Sequence, residues 1–235
     1  MDLANNLITA LSQPDRDALT APGTLSSFAS GQVIYEPGDS VDYCYFPLGP
    51  AIASFLVVLE DGMAVETTMV GKEGAIGGVV SHGKLPAFCR SIAVHSGQFL
   101  RIPVAELEMA KRQSPAVANL FNRYADCLIA QVFQSVACNA SHSIEMRAAK
   151  WIVAAVERSE NTHIAIIQDQ FAALLGVGRS YASRVLQRFK AEGLIQVRRG
   201  GMDVLDCQRL KHLSCDCNDV VHRHFDRVLR GVYPD

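Results

Sequence analysis

Apolar residues change their period along the chain, and the changes divide it into blocks. Over residues 3–19 they recur at helical spacing, with Ser12-Gln13-Pro14-Asp15 marking a break and a restart. Over residues 31–97 the texture changes. Short β-rich runs at 33–35, 41–46, 52–59, 65–70, 91–94 and 99–102 alternate with turn residues, and ten of the seventeen glycines fall in this block. Pro37-Gly38 suits a type II turn and Asp61-Gly62 a two-residue hairpin. Many short strands with regular glycine turns predict an antiparallel sandwich or barrel, not a parallel sheet. Pro103 then opens a helix to about Arg112, and Ser114-Pro115 opens a longer one reaching at least Ala137. In the longer helix Val117, Phe121, Tyr124, Leu128 and, one step late, Val132 follow a spacing close to a heptad seam. Two placements fit that seam: against the chain's own β-domain, or against a second copy.

Residues 138–142 are a polar interruption and read as a hinge. Ser143 can cap the next helix, with Ile144, Ala148, Trp151, Ile152 and Ala155 on one side. A compact domain follows to about Asp206, and a last helix over 219–229 carries Val221, Phe225, Val228 and Leu229 as its stripe. The predicted organisation is a β-domain with flanking helices at 1–113, a long helix and hinge at 114–140, a second domain at 141–210 and a helical extension at 211–235. The class is α+β.

Bulk composition changes this picture little. Hydrophobic residues at 49% and charged residues at 20% fit a folded globular chain. No basic region precedes an apolar run at the N-terminus, and the longest apolar stretch, 51–59, is interrupted by Ser54 and too short to cross a bilayer. The expectation is a cytoplasmic protein with no membrane partner. Seven scattered cysteines (44, 89, 127, 138, 207, 215 and 217) read as free thiols in a reducing compartment. Charge is more informative. The net charge is only −2, yet over residues 171–201 Arg179, Arg184, Arg188, Lys190, Arg198 and Arg199 face Glu192 alone, a local +5 against −7 elsewhere. One face of the molecule should therefore attract anions.

That basic stretch has a recognisable layout. Two short helical patterns meet at Gly176, where ending one helix and starting another within three residues demands a left-handed backbone. Phe171, Leu175, Val177, Ala182 and Val185 supply a shared core, and small Ala172 lets the helices approach. The outward positions of the second helix are then Arg179, Ser180, Tyr181, Ser183, Arg184, Gln187 and Arg188. Arginine near a helix start can pair bidentately with guanine O6 and N7, while Arg188, Lys190 and the first backbone amides suit phosphates. Past Glu192-Gly193, a hairpin turning through Arg198-Arg199-Gly200-Gly201 makes a basic wing. The competing reading is a small α+β core with a solvated basic face. The coincidence of turn glycine, helix spacing and wing favours a double-stranded DNA reader.

With these residues in view the chain resembles the Crp/Fnr family of transcription regulators over essentially its whole length. The most specific pieces are Leu174-Leu175-Gly176-Val177-Gly178-Arg179 running into Ser183-Arg184-Val185-Leu186, and Gly193-Leu194-Ile195 before the wing. His142-Ser143-Ile144-Glu145 with Arg147, Ala149 and Trp151, and the tail Ser214-Cys215-Asp216-Cys217, add to it. The resemblance implies an N-terminal β-roll (a cupin-like jelly roll), a long dimerisation helix and a C-terminal winged helix-turn-helix. It further implies a homodimer across a near-palindromic operator, recognition helices about 34 Å apart in successive major grooves, and RNA polymerase as a partner if the chain activates. Arg179 and Arg184 match the family's base- or phosphate-contacting positions. The acidic residue that often follows the first arginine is Ser180 here, so the half-site should differ from the usual one. The β-domain would bias the long helix and so set the spacing of the two recognition helices.

The resemblance also implies a place for an effector. In cyclic-nucleotide members a glycine-glutamate pair holds the ribose and an Arg-Ser/Thr pair the phosphate; here Gly77-Gly78 and Arg90-Ser91 stand at those positions. The glutamate position is Gly78, and a buried ribose hydroxyl without its acceptor costs about 1–3 kcal/mol. The favoured reading is a roll without a cyclic nucleotide, with Arg90 ion-paired or at the surface; an unidentified small-molecule effector is the alternative. No cysteine precedes Cys44, unlike the iron–sulfur members, and no haem ligand pair stands out, so no cofactor is implied. Cys215, Cys217, His222 and His224 fall within ten residues and are weak metal candidates, because Cys-x-Cys is tighter than usual zinc spacing and Cys217 lies in step with Val221 and Phe225. An enzyme of cupin type would need clustered histidines, yet the β-domain has only His82 and His95; no nucleophile elbow or P-loop occurs. A β-roll module docking on a partner protein is the remaining rival.

Overall fold

The computed structural model describes residues 4–60, 62–80 and 85–230; Leu3, Asp61 and His82, which entered the sequence reading, lie outside them. Two short helices open the chain, α1 (Asn6–Thr9) and α2 (Gln13–Thr20), separated where the Ser-Gln-Pro-Asp signal predicts. Buried Asn5 caps α1 through Oδ1, while its Nδ2 donates to the carbonyls of Pro47 and Gly74 at 3.0 and 2.9 Å, tying the N-terminus to the β-domain.

Among the described residues seven strands follow: β1 (Thr24–Phe28), β2 (Val33–Tyr35), β3 (Tyr43–Pro47), β4 (Ile52–Val58), β5 (Ala64–Val70), β6 (Arg90–His95) and β7 (Gly97–Pro103). They form two antiparallel sheets, ordered β1-β7-β3 and β2-β6-β4-β5, with aromatic rings between them. Phe28 meets Tyr45 and Phe99 edge-on at centroid distances of 5.6 and 5.2 Å, geometry that suits the ring quadrupoles. Strand β1 has no counterpart in the sequence reading. It is polar (Thr-Leu-Ser-Ser-Phe) and borders β7 alone, so its edge position carries no alternating apolar signal.

Helix α3 (Val104–Gln113) starts after Pro103, and α4 (Pro115–Ser141) is capped by Ser114, whose Oγ accepts from the Val117 amide. The structure corrects two expectations about α4. The polar residues 138–141 do not interrupt it; they are its last turn, and the break is the single junction at His142-Ser143, where Ser143 caps α5 (Ile144–Ser159). Nor does the apolar seam face outward. Val117, Phe121 and Tyr124 are fully buried within the chain itself, and the Tyr124 hydroxyl donates to the carbonyl and accepts from the amide of Ala75, both at 2.9 Å. Leu128 is half-buried against the β-domain, and only Val132 of the five proposed seam residues is exposed. What α4 leaves uncovered is a neighbouring stripe of Ile129, Val132, Phe133 and Val136, spaced i, i+3, i+4 and i+7. The heptad was real, but its first half serves the intramolecular core.

The C-terminal part comprises α5, β8 (His163–Ile164), α6 (Gln168–Leu175), α7 (Arg179–Ala191), β9 (Ile195–Arg198), β10 (Gly201–Val204), α8 (Cys207–Leu213) and α9 (Cys217–Val228). Strands β8, β10 and β9 form a small antiparallel sheet in that order. Its core is continuous with the roll: Ile52, Leu56, Met69 and Val94 join Trp151, Phe171 and Phe189 in one buried cluster. Arg158 on α5 donates to Glu73 at 2.7 Å across the same junction, and beside it Gln131 on α4 donates to the Met69 carbonyl at 2.9 Å. No helix among the described residues is long and apolar enough to cross a membrane.

Glu66 on β5 lies in this junction, within a crevice that Lys150, Trp151 and Arg158 also line. Burial raises its carboxyl from 4.5 to about 6, although the Ser54 hydroxyl and the Lys150 ammonium pull the other way. Folding therefore opposes ionisation. Below about pH 4.5 the carboxyl is protonated whether folded or not; between 4.5 and 6 the unfolded chain ionises first and stability falls; above 6 the penalty is constant. Glu66→Gln is expected to raise stability at pH 8 by at most about 2 kcal/mol and to flatten the slope between pH 4.5 and 6 in denaturant titrations. An unchanged slope would show that Glu66 is already well solvated.

Candidate nucleic-acid interface

Helix α6 stops because Gly176 takes a left-handed conformation, φ +64°, which lets the amides of Gly176 and Val177 close onto the carbonyls of Ala173 and Ala172 at 2.9 and 3.0 Å. An added Cβ would lie 3.1 Å from a Val65 methyl on β5, so the backbone favours glycine and the packing leaves little room for more. Helix α7 then buries Ala182, Val185, Leu186 and Phe189 and turns Arg179, Ser180, Arg184, Gln187 and Arg188 to the surface. Ser183 is half-buried at the edge of this face.

Tyr181 departs from the outward placement expected of it. Its ring packs on the domain core, its hydroxyl donates to Glu145 on α5 at 3.2 Å, and the Arg184 guanidinium stacks over the ring at 5.0 Å. Tyr181 is a platform for Arg184, and stacking limits the rotamers from which that arginine must be ordered. Sequence reasoning missed Glu145 in this role because it lies 36 residues upstream, on another helix.

Carboxylates hold three of the other cations at the surface. Arg179 pairs with Asp169 at 2.8 Å and Arg188 with Glu192 at 2.9 Å. Arg198, at the tip of β9, pairs with Asp203 on β10, whose other oxygen meets His163 at 2.7 Å. The Arg198 and His163 contacts hold the Asp203 carboxyl below its ordinary range. Such exposed pairs are screened by water, so a phosphate can displace them at little cost. Arg199 and Gly200 form the exposed wing turn. Between α6, α7 and the wing lies an open cleft of about 260 Å³ with Arg179 and Arg198 on its walls.

Among the described residues, those proposed for an effector do not line one common pocket. Gly77 and Gly78 line a 210 Å³ pocket walled by Val41, Phe55, Val79 and Leu128, whereas Arg90 and Ser91 do not line it. Arg90 donates to Glu36 at 2.8 Å, and Ser91 is buried within the sheet on β6. The two glycines have a reason within the fold: a Cβ at Gly77 would stand 2.7 Å from the Tyr43 carbonyl oxygen, and one at Gly78 2.5 Å from a Val104 methyl. The proposed metal set is also corrected. Cys215 and Cys217 do come together, but with Cys138 and His142 rather than with His222 and His224. His222 is held neutral to lower pH by its own burial and by Arg158 nearby, at the α5 side of α9.

Residues 146–213 match the model of the Crp-like helix-turn-helix domain. No curated protein sequence matches the chain. Among solved structures, the chain is similar to FixK2 from Bradyrhizobium japonicum, at 17% identity and a TM-score of 0.67 over 82% of this chain and 98% of that one. It is similar to a Crp/Fnr-family transcriptional regulator of Thermus thermophilus at 20% identity and 0.64, over 81% and 98%. The c-di-GMP-responsive global regulator CLP of Xanthomonas campestris is similar at 14% identity and 0.65, over 82% and 99%.

Proposed function

Because the chain carries a Crp-like helix-turn-helix domain on the fold of the Crp/Fnr regulators, we propose that it is a sequence-specific DNA-binding transcription regulator acting as a homodimer on a near-palindromic operator. One observation carries this reading: α7 buries its apolar face completely while presenting Arg179, Arg184, Gln187 and Arg188 outward beside a wing carrying Arg198 and Arg199. Arg184, pre-ordered on Tyr181, reads base edges; Arg188, Arg198 and Arg199 take phosphates. The exposed stripe on α4 pairs two copies, and the roll biases the angle of that helix. RNA polymerase is a further partner if the operator is activated. Apolar walls at Gly77 and Gly78, and the commitment of Arg90 to Glu36, argue against a cyclic nucleotide as the effector.

The test starts from an operator found by footprinting genomic DNA with the purified protein. Arg184→Ala is expected to weaken binding to it by about 1–3 kcal/mol, roughly 5–150-fold, and to relax preference at one base position. Arg188→Ala should weaken binding evenly across sequences and lower the salt slope by about 1. Unchanged operator affinity in Arg184→Ala with intact folding would remove α7 from the reading role, and retention on DNA independent of salt would favour a protein-docking module instead.

A further inference from the structure

We propose that Cys138, His142, Cys215 and Cys217 form a tetrahedral zinc site that clamps the end of α4 to the connection between α8 and α9. Each offers one ligand atom, and the four atoms all lie within 4.8 Å of one another. Cys138 Sγ is 3.6 Å from Cys215 Sγ, and Cys217 Sγ is 3.5 Å from His142 Nδ1. Those two separations match tetrahedral zinc: with Zn–S near 2.3 Å and Zn–N near 2.0–2.1 Å, ligand atoms stand about 3.5–3.8 Å apart, and the remaining pairs, within 4.8 Å, close by small side-chain shifts. Three thiols and an imidazole are a usual structural zinc set, closed to water.

The surroundings fit the charge of such a centre. Zinc displaces three thiol protons and leaves a net charge of −1, which Lys150 can offset with its Nζ 3.4 Å from Cys138 Sγ. Gln134 donates from Nε2 to Cys217 Sγ at 3.2 Å, a hydrogen bond that orients the thiolate. The three cysteines are buried and pack with Met146 in a cluster apart from the main cores, so they add little to either. Cys138 and His142 sit one turn apart on α4 and at its cap, while Cys215 and Cys217 flank the start of α9. Sequence spacing could not reveal the set, since its halves are separated by more than 70 residues.

The clamp spans the junction at which the helix-turn-helix domain leaves α4, so occupancy would fix that angle. This last consequence rests on the DNA-binding reading; the site itself does not, and metal analysis decides it without DNA.

The experiment uses the full chain purified with reductant and exchanged against a weak chelator. Elemental analysis is expected to find about one zinc per chain. Cobalt in its place should give thiolate charge-transfer and tetrahedral d–d bands. Cys138→Ser and Cys215→Ser should each weaken metal binding by more than about a hundredfold, and Gln134→Ala by about tenfold, whereas His222→Ala keeps full occupancy. Should a serine variant fold poorly, the cobalt spectrum of the wild-type chain still decides. Octahedral cobalt bands, seven freely reactive thiols with no bound metal, or a Cys138–Cys215 disulfide in the reduced preparation would each overturn the proposal.

Discussion

On the proposed α4 pairing, Phe133→Asp is expected to turn dimers into monomers. Phe133 is 70% exposed, flanked by Ile129 at 50% and Val136 at 64%, on a helix whose other apolar face is already consumed inside the chain. An aligned apolar stripe of this kind on a 27-residue helix needs a partner to leave water, and a second copy in two-fold symmetry supplies an identical one. The proposed dimer would bury Phe133 twice. Losing two anchor rings at about 2 kcal/mol each, before the cost of opposing two carboxylates, weakens self-association by roughly a thousandfold or more. Sedimentation at micromolar concentration reads the change directly, and operator binding should fall with it, since one recognition helix alone holds half the contacts. Tyr124→Phe, by contrast, should leave the oligomeric state alone and act on stability, because its hydroxyl serves Ala75 inside the same chain. A Phe133→Asp protein that sediments as the wild type does would refute the α4 pairing.

The second large effect is on folding. Phe171→Ala should cost about 3–5 kcal/mol in denaturant unfolding, because the ring is fully buried and leaves a cavity that its neighbours cannot fill. The ring meets Trp151 edge-on, centroids 5.4 Å apart, and that contact is where α5 holds α6 in place. The loss is larger than for a peripheral residue since the same cluster runs on into Leu56 and Met69 of the roll. DNA binding should weaken in parallel as α6 no longer supports the Gly176 turn. A loss below about 1 kcal/mol would mean that the domain repacks around the cavity.

Much of the architecture was legible in order along the chain. Short β-rich runs punctuated by glycine marked six strands of the roll, and Pro14, Pro103 and Pro115 each stand at a helix start, where a missing amide hydrogen is tolerated. Gly176 announced its turn, and the basic positions on α7 followed from helical periodicity once the buried Ala182 and Val185 were placed. All of these are local: the physics that sets them acts within a few residues, through backbone conformation and the side-chain period.

What required the folded chain was every choice between two faces or two distant partners. A heptad on α4 is equally good against a sheet or against another helix; only the position of the roll decides that Val117, Phe121 and Tyr124 are spent internally and that Ile129, Phe133 and Val136 are free to pair. Tyr181 was outward by period yet is drawn inward by Glu145, and Cys215 and Cys217 found Cys138 and His142 in place of the nearer His222 and His224. Periodicity assigns a residue to a side of its own element, but what occupies that side depends on long-range packing, where sequence distance carries no information.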